Sequence, residues 1–155
     1  MEATARLELE LPQHDRGGWP VLDTLISLDA ETKTARCSRL YTGTEAWEAT
    51  AHLKDFQIYP GIYLQEGMAL TLSQLAQCLP ELAGKTVRYT GCDGFRIRGV
   101  VRPGEQIIYT AKIDKIKVRR DIVFGHGSGQ AEVNGKQVAF VSIIHFVTGD
   151  LDLTT

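Results

Sequence analysis

Between residues 61 and 79, apolar side chains recur at Ile62, Met68, Ala69, Leu72, Leu75, Ala76 and Leu79, close to the period of an α-helix. Leu64 and Leu70 widen the stripe, which predicts a helix buried on most sides. Pro60-Gly61 opens the segment, and Pro80 ends it or begins the exit turn. Upstream, "VLDTLISLD" (21–29) and "KTARCSRLY" (33–41) read as strands, and "TGTEAWEATA" (42–51) as a loop with a short helical turn. After residue 85 the pattern is strand and turn. "TVRYTGCDGFRIRGVV" is broken at "CDG", "RPGEQ" signals a turn, and "QIIYTAKIDKIKV" and "RDIVFGHGSGQAEV" are long β-rich runs. Asn134-Gly135, between "AEV" and "KQVAFVSIIHFV", predicts a hairpin because both central positions accept positive φ. One apolar helix and five or six long, mostly antiparallel strands make an α+β domain. The economical packing wraps a curved sheet around the helix.

Composition narrows the class without changing that picture. The 155 residues suit a single domain over 1–155, with a frayed tail at about 149–155. A net charge of −2 argues against a general nucleic-acid binder. No run approaches the ~18 apolar residues of a membrane span. The charged, alternating start "MEATARLELELPQHD" is no secretory signal. Cys37, Cys78 and Cys92 are odd in number and widely spaced, which implies reduced thiols in a cytoplasmic protein and no cysteine metal site.

One residue disturbs the helix. Glu66 stands in its second turn, and a carboxylate on an apolar helix is costly to bury unless something pairs with it. The helix entrance suggests a use. The first N–H groups of a helix lack partners, the dipole makes that end electropositive, and Gly61 lets a ligand approach its N–H closely. Such an end can polarise a carbonyl and stabilise the charge that develops when a neighbouring proton leaves. His52 has the right titration range for a base, and a desolvated Glu66 could hold the proton that an acid donates.

The spacing is specific. His52, seven residues, Pro60-Gly61, four residues, Glu66, then Met68 resembles the signature of the bacterial 3-hydroxyacyl-acyl-carrier-protein dehydratases. "LPQHDRGGWPVLDTLISLD" and "GFRIRGVVRPGEQIIYTAKI" are similar to that family's opening segment and later strand-turn-strand, so the match covers most of residues 11–147. The resemblance implies a hotdog fold, a long central helix wrapped by an antiparallel sheet. It implies dehydration of a 3-hydroxyacyl thioester carried on the phosphopantetheine of an acyl carrier protein, with no metal or other cofactor. It implies a homodimer or a dimer-based higher oligomer, or a heterodimer with a related dehydratase, in which His52 of one subunit faces Glu66 of the other. Glu66 would then be buried at the interface and line an acyl tunnel, with Phe56, Tyr59, Tyr63 and Leu70 as further lining. Glutamate rather than aspartate resembles the branch that does not isomerise the double bond.

Two departures border the site. Leu53-Lys54 replaces the family's usual Phe-Pro, and Gly67-Met68-Ala69-Leu70 replaces Ala-Met-Ala-Gln. They bear on substrate fit and hint at a specialised pathway such as polyketide or polyene assembly. Two rival readings stay open: a hotdog thioesterase, and a non-catalytic partner subunit of a heteromeric dehydratase.

Taken singly, His52 reads as a loop histidine and Glu66 as an acid favouring the helix dipole. Their joint spacing with Pro60-Gly61 reverses this. His145 reads as a core or interface histidine. His126, in "GHGSG", belongs to a bulged or kinked strand rather than a phosphate loop, since no helix follows. Lys115, Lys117 and Arg119 alternate onto one strand face, with Arg96, Arg98 and Arg102 elsewhere in the sheet. Singly they read as a solvated face; together they are candidates for docking an acidic carrier protein.

Overall fold

The computed structural model describes residues 9–10, 21–45 and 56–148. His52, most of the 42–51 loop, residues 11–20 of the opening segment and the 149–155 tail lie outside the described residues.

The strands are β1 (Leu9–Glu10), β2 (Thr24–Asp29), β3 (Thr34–Leu40), β4 (Val87–Asp93), β5 (Arg96–Ile97), β6 (Gln106–Arg119), β7 (Ile122–Val133) and β8 (Lys136–Thr148). They form one antiparallel sheet in the order β1-β2-β3-β6-β7-β8-β4, with β5 also pairing β8. The helix α1 (Gly61–Ala76) packs on one face of it, across β3, β6, β7 and β8. The expected α+β architecture is therefore present, and the six long strands match the count read from the pattern.

Local chemistry explains the boundaries. Asn134 and Gly135 take φ of 51° and 75°, the paired positive values of a two-residue hairpin turn. At the "RPGEQ" turn Gly104 has φ 88°, and the Glu105 carboxylate accepts the Arg102 N–H at 2.6 Å. The interruption at "CDG" falls after Asp93, at Gly94, where φ is 68°. Helix α1 stops at Ala76, earlier than the apolar pattern suggests. Leu79 is still buried, but its N–H bonds to Ala76 in a tighter turn.

Leu64, Met68, Leu72 and Leu75 of α1 are buried against Tyr109, Ile113, Val123 and Ile144 of the sheet. Gly127 and Gly129 of "GHGSG" are explained by this contact. A Cβ at Gly127 would run into the Lys112 carbonyl and the Leu72 side chain. The pairing of β7 with β8 shifts register between Gly127 and Gly129, but three steps of β8 match two of β7, so the extra residue lies on β8 and not in the strand where a bulge was expected. Gly127→Ala is expected to destabilise the fold by about 2 kcal/mol, because backbone on one side leaves nothing free to yield. Urea unfolding of the two proteins measures it.

Candidate active site

Pro60 is extended (φ −62°, ψ 133°) and precedes the helix without a side-chain cap, so the chain enters α1 with backbone N–H groups leading. Gly61 is half-buried under Ile97 of β5, whose side chain occupies the place a Cβ would need. Ile62 is 63% exposed, and Glu66, one turn further along the same side, is also exposed. The helix therefore turns a stripe of Ile62, Glu66 and the half-buried Leu70 and Ser73 away from its own sheet. This corrects the expectation of a helix buried on most sides. Within one chain Glu66 has no buried setting, because the face that carries it is the one that does not pack.

The four side chains expected along an acyl tunnel differ in burial. Phe56 is 55% exposed, Tyr63 and Leu70 are half-buried, and Tyr59 is buried beneath the helix. Tyr59 stacks edge-on with Tyr41 and Tyr63, at centroid separations of 5.3 and 6.0 Å. Burial pushes its hydroxyl up to about 12, although a bond to Tyr109 works the other way. Tyr109 is fully buried, and its ring lies where a Cβ on Gly67 would be. The glycine that departs from the family's usual alanine thus makes room for this ring.

A buried charge network beside Tyr59 had no signal in the sequence. Arg39, 7% exposed, donates to Asp23 at 2.6 Å and to Glu45 at 3.1 Å. Asp23 also accepts the Leu40 N–H, and Glu45 the Thr42 N–H. Burial opposes ionisation of Glu45, yet the Thr42 N–H and the Arg39 charge hold its carboxyl below the usual range. Arg39 and Glu45 are far apart from Asp23 in sequence, and only the β2–β3 pairing joins them.

The basic candidates fall into two groups on the sheet's outer face. Lys115 and Lys117 line a hollow of about 240 Å3 with Phe124, His126 and His145. Arg119 follows on the same alternation at the strand end. Arg98 sits over the Phe140 ring at 4.8 Å and helps to line a second hollow of about 510 Å3, and Arg96 pairs with Phe140 across β5–β8. His145 was expected in a core or interface. It is not in the core: it lies half-exposed beside His126 and within 2.9 Å of Asp93. Among the described residues no group of three His, Cys, Asp or Glu side chains converges as a metal-binding set. No helix there is long and apolar enough to cross a membrane.

Residues 22–142 match a family model described as the FabA-like domain. The 3-hydroxyacyl-acyl-carrier-protein dehydratase FabZ of a Roseiflexus species is 39% identical over 87 residues, which are 56% of this chain and 58% of that enzyme. The corresponding enzyme of Streptococcus thermophilus is 34% identical over 88 residues, 57% of this chain and 60% of that one. The aligned part thus spans less than two thirds of either relative. Two solved structures share the fold. A dehydratase heterocomplex, ApeI:P, from Xenorhabdus doucetiae gives a TM-score of 0.62 at 12% identity, over 85% of this chain and 84% of that one. A putative thioesterase from Ralstonia eutropha gives 0.59 at 13%, over 81% and 83%. At such identities the likeness is one of architecture: the hotdog arrangement of a long helix against an antiparallel sheet.

Proposed function

Because the chain belongs to the FabA-like domain family, we propose that it removes water from a 3-hydroxyacyl thioester and leaves a trans-2-enoyl thioester. His52 takes the proton from C2. The Gly61 N–H, at the electropositive end of α1, holds the thioester oxygen while charge develops on it. Glu66 then gives its proton to the departing C3 hydroxyl, and the C2 electron pair becomes the new double bond. No metal or nucleotide takes part. The acyl group arrives on the phosphopantetheine of an acyl carrier protein.

The observation that carries this reading is the position of Glu66 relative to Gly61. Five residues separate them, about 7.5 Å along the axis and over a third of a turn around it. They are not poised over one small thioester within a chain. Glu66 points away from the sheet, where a second chain can bring its own Glu66 to this chain's Gly61 and His52. We therefore assign the working unit as a dimer with two shared sites. The test is turnover of a carrier-bound 3-hydroxyacyl substrate, followed by enoyl absorbance and, in parallel, by thiol release. Enoyl product without free thiol supports the dehydratase. Free thiol without enoyl product supports the thioesterase instead.

The basic outer face gives the acidic carrier a place to dock. Reversing Lys115, Lys117 and Arg119 to Glu is expected to lower kcat/KM for carrier-bound substrate by about tenfold or more through slower encounter. A small thioester mimic should be little affected. The gap should close in high salt, since exposed charges beyond about 8 Å are largely screened at physiological ionic strength and nearer ones in stronger salt. Equal losses on both substrates would place the damage elsewhere.

A further inference from the structure

We infer that the hollow between Lys115, Lys117, His126 and His145, on the outer face of the sheet, is a binding site for a phosphoryl group. It lies on the face turned away from α1, and its test needs no turnover, so it does not rest on the dehydratase reading.

Strand register builds the cluster. Lys115 pairs with His126, and His126 with His145, so one cross-strand row carries three nitrogen-bearing side chains over β6, β7 and β8. Directly opposed residues share a face of the sheet. Lys117 and Phe124 form the next pair on that face, two residues along each strand. The two imidazole rings lie 6.4 Å apart, centroid to centroid, at an angle of 66°. From β4, an Asp93 carboxylate oxygen sits 2.9 Å from His145 Nε2, and Arg88 stands opposite Val147, the next outer position of β8.

Among the described residues that line this hollow of about 240 Å3, every polar side chain carries an N–H donor and none is a carboxylate. Two ammonium groups face it, against the one carboxylate of Asp93, which is already engaged with His145. The surplus is positive before either imidazole takes a proton. A phosphoryl group brings three strong acceptor oxygens and nearly two negative charges, so it can take donors from several strands at once. A carboxylate brings two oxygens and one charge. Lysine serves phosphate as a compact point charge. The hollow holds the volume of about eight waters at ~30 Å3 each, more than a bare phosphate fills. The remaining wall is Phe124, 46% exposed, which favours an ester whose organic part lies on that ring. Protonation of His126 or His145 would add a cation to the row, so anion binding should strengthen as pH falls. The charged and titratable groups around that pair are Lys115 and Lys117 on β6 and Asp93 and Arg88 on β4.

Imidazole proton resonances of the full chain read the site directly, with His14 and His52 as internal controls. Inorganic phosphate, added at pH 7 and constant ionic strength, should move the signals of His126 and His145 and leave the two controls in place. Sulfate, whose charge is the same at pH 6 and pH 8, should bind about fivefold tighter at pH 6, because binding and imidazole protonation favour each other. Replacing both lysines, Lys115→Met and Lys117→Met, should weaken phosphate about tenfold or more. Thermal melting checks that this variant is folded, and the wild-type signals decide the matter even if it is not. Phenyl phosphate separates the two sources of the group. Binding about tenfold tighter than phosphate, with the advantage lost in Phe124→Ala, assigns the site to an ester; equal binding assigns it to free phosphate. Acetate that matches phosphate would give the hollow to carboxylates and overturn the inference. Wild-type signals that stay still, or that move equally at all four histidines, would overturn it as well and leave the dehydratase reading untouched.

Discussion

A heterodimer of His52→Ala and Glu66→Gln subunits is expected to regain dehydration that neither parent homodimer shows. Each single variant should lose about a hundredfold or more, the scale of a missing general base or acid. If His52 and Glu66 met within one chain, every subunit of the mixture would carry a broken pair, and mixing could repair nothing. If they meet across an interface, one site of the heterodimer collects both defects. The other joins an intact His52 to an intact Glu66. Recovery should then approach one working site per heterodimer. Glu66→Gln is the right variant because it keeps the side-chain volume, and exposure of Glu66 in the single chain means that no core contact is disturbed. The measurement is steady-state turnover by the isolated heterodimer. A verified, folded heterodimer with no activity would return the pair to a single chain or remove it from the chemistry.

The largest effect on stability is expected at Arg39. Arg39→Ala leaves Asp23 and Glu45 facing each other's charge with no cation between them, and Glu45 has a side-chain exposure of only 7%. Breaking a buried ion pair by removing one partner typically costs about 3–5 kcal/mol. The loss should depend on pH in a defined direction. A carboxyl held below its ordinary value of 4.5 contributes stability that is present above that value and lost as pH falls through the lower, folded one. In the variant the stranded carboxylates are instead relieved by protonation. The gap between the two proteins should be widest near neutrality and shrink in acid. Urea unfolding at pH 7 and near pH 4 measures both, and a gap that grows in acid would contradict the assignment of charge in this network.

Where the sequence spoke clearly, the determinant was local. The start of α1 is written in Pro60-Gly61, and the β7–β8 hairpin in Asn134-Gly135. The end of the helix was less legible because periodicity reports burial rather than hydrogen bonding. Leu79 is buried and continues the stripe, yet it belongs to a tighter turn. His145 stands outside the core for a related reason. Three steps along β8 from Val141 to Ile144 match two along β7 from Gly129 to Gly127, which reverses the in-out parity that follows. A bulge of that kind has no signature in the strand that carries it. The site was legible only as a motif. Its spacing proposes His52, Gly61 and Glu66, but which side of α1 Glu66 takes depends on how the helix lies on the sheet. Arg39 and Glu45 were invisible, since each acquires its meaning from a residue on another element.

The closeness of α1 to the sheet also decides where a guest molecule can travel. At Gly67 the Tyr109 ring, and at Gly127 the Leu72 side chain, already fill the room a single methyl group would require. At those two points no room is left for a hydrocarbon tail between helix and sheet. The surface one chain offers beside Glu66 is the outer stripe past Ile62 and Leu70, left open as a floor without a roof. Length selection then belongs to the covering surface as much as to this protein. The same chain under two different covers would measure two different guests.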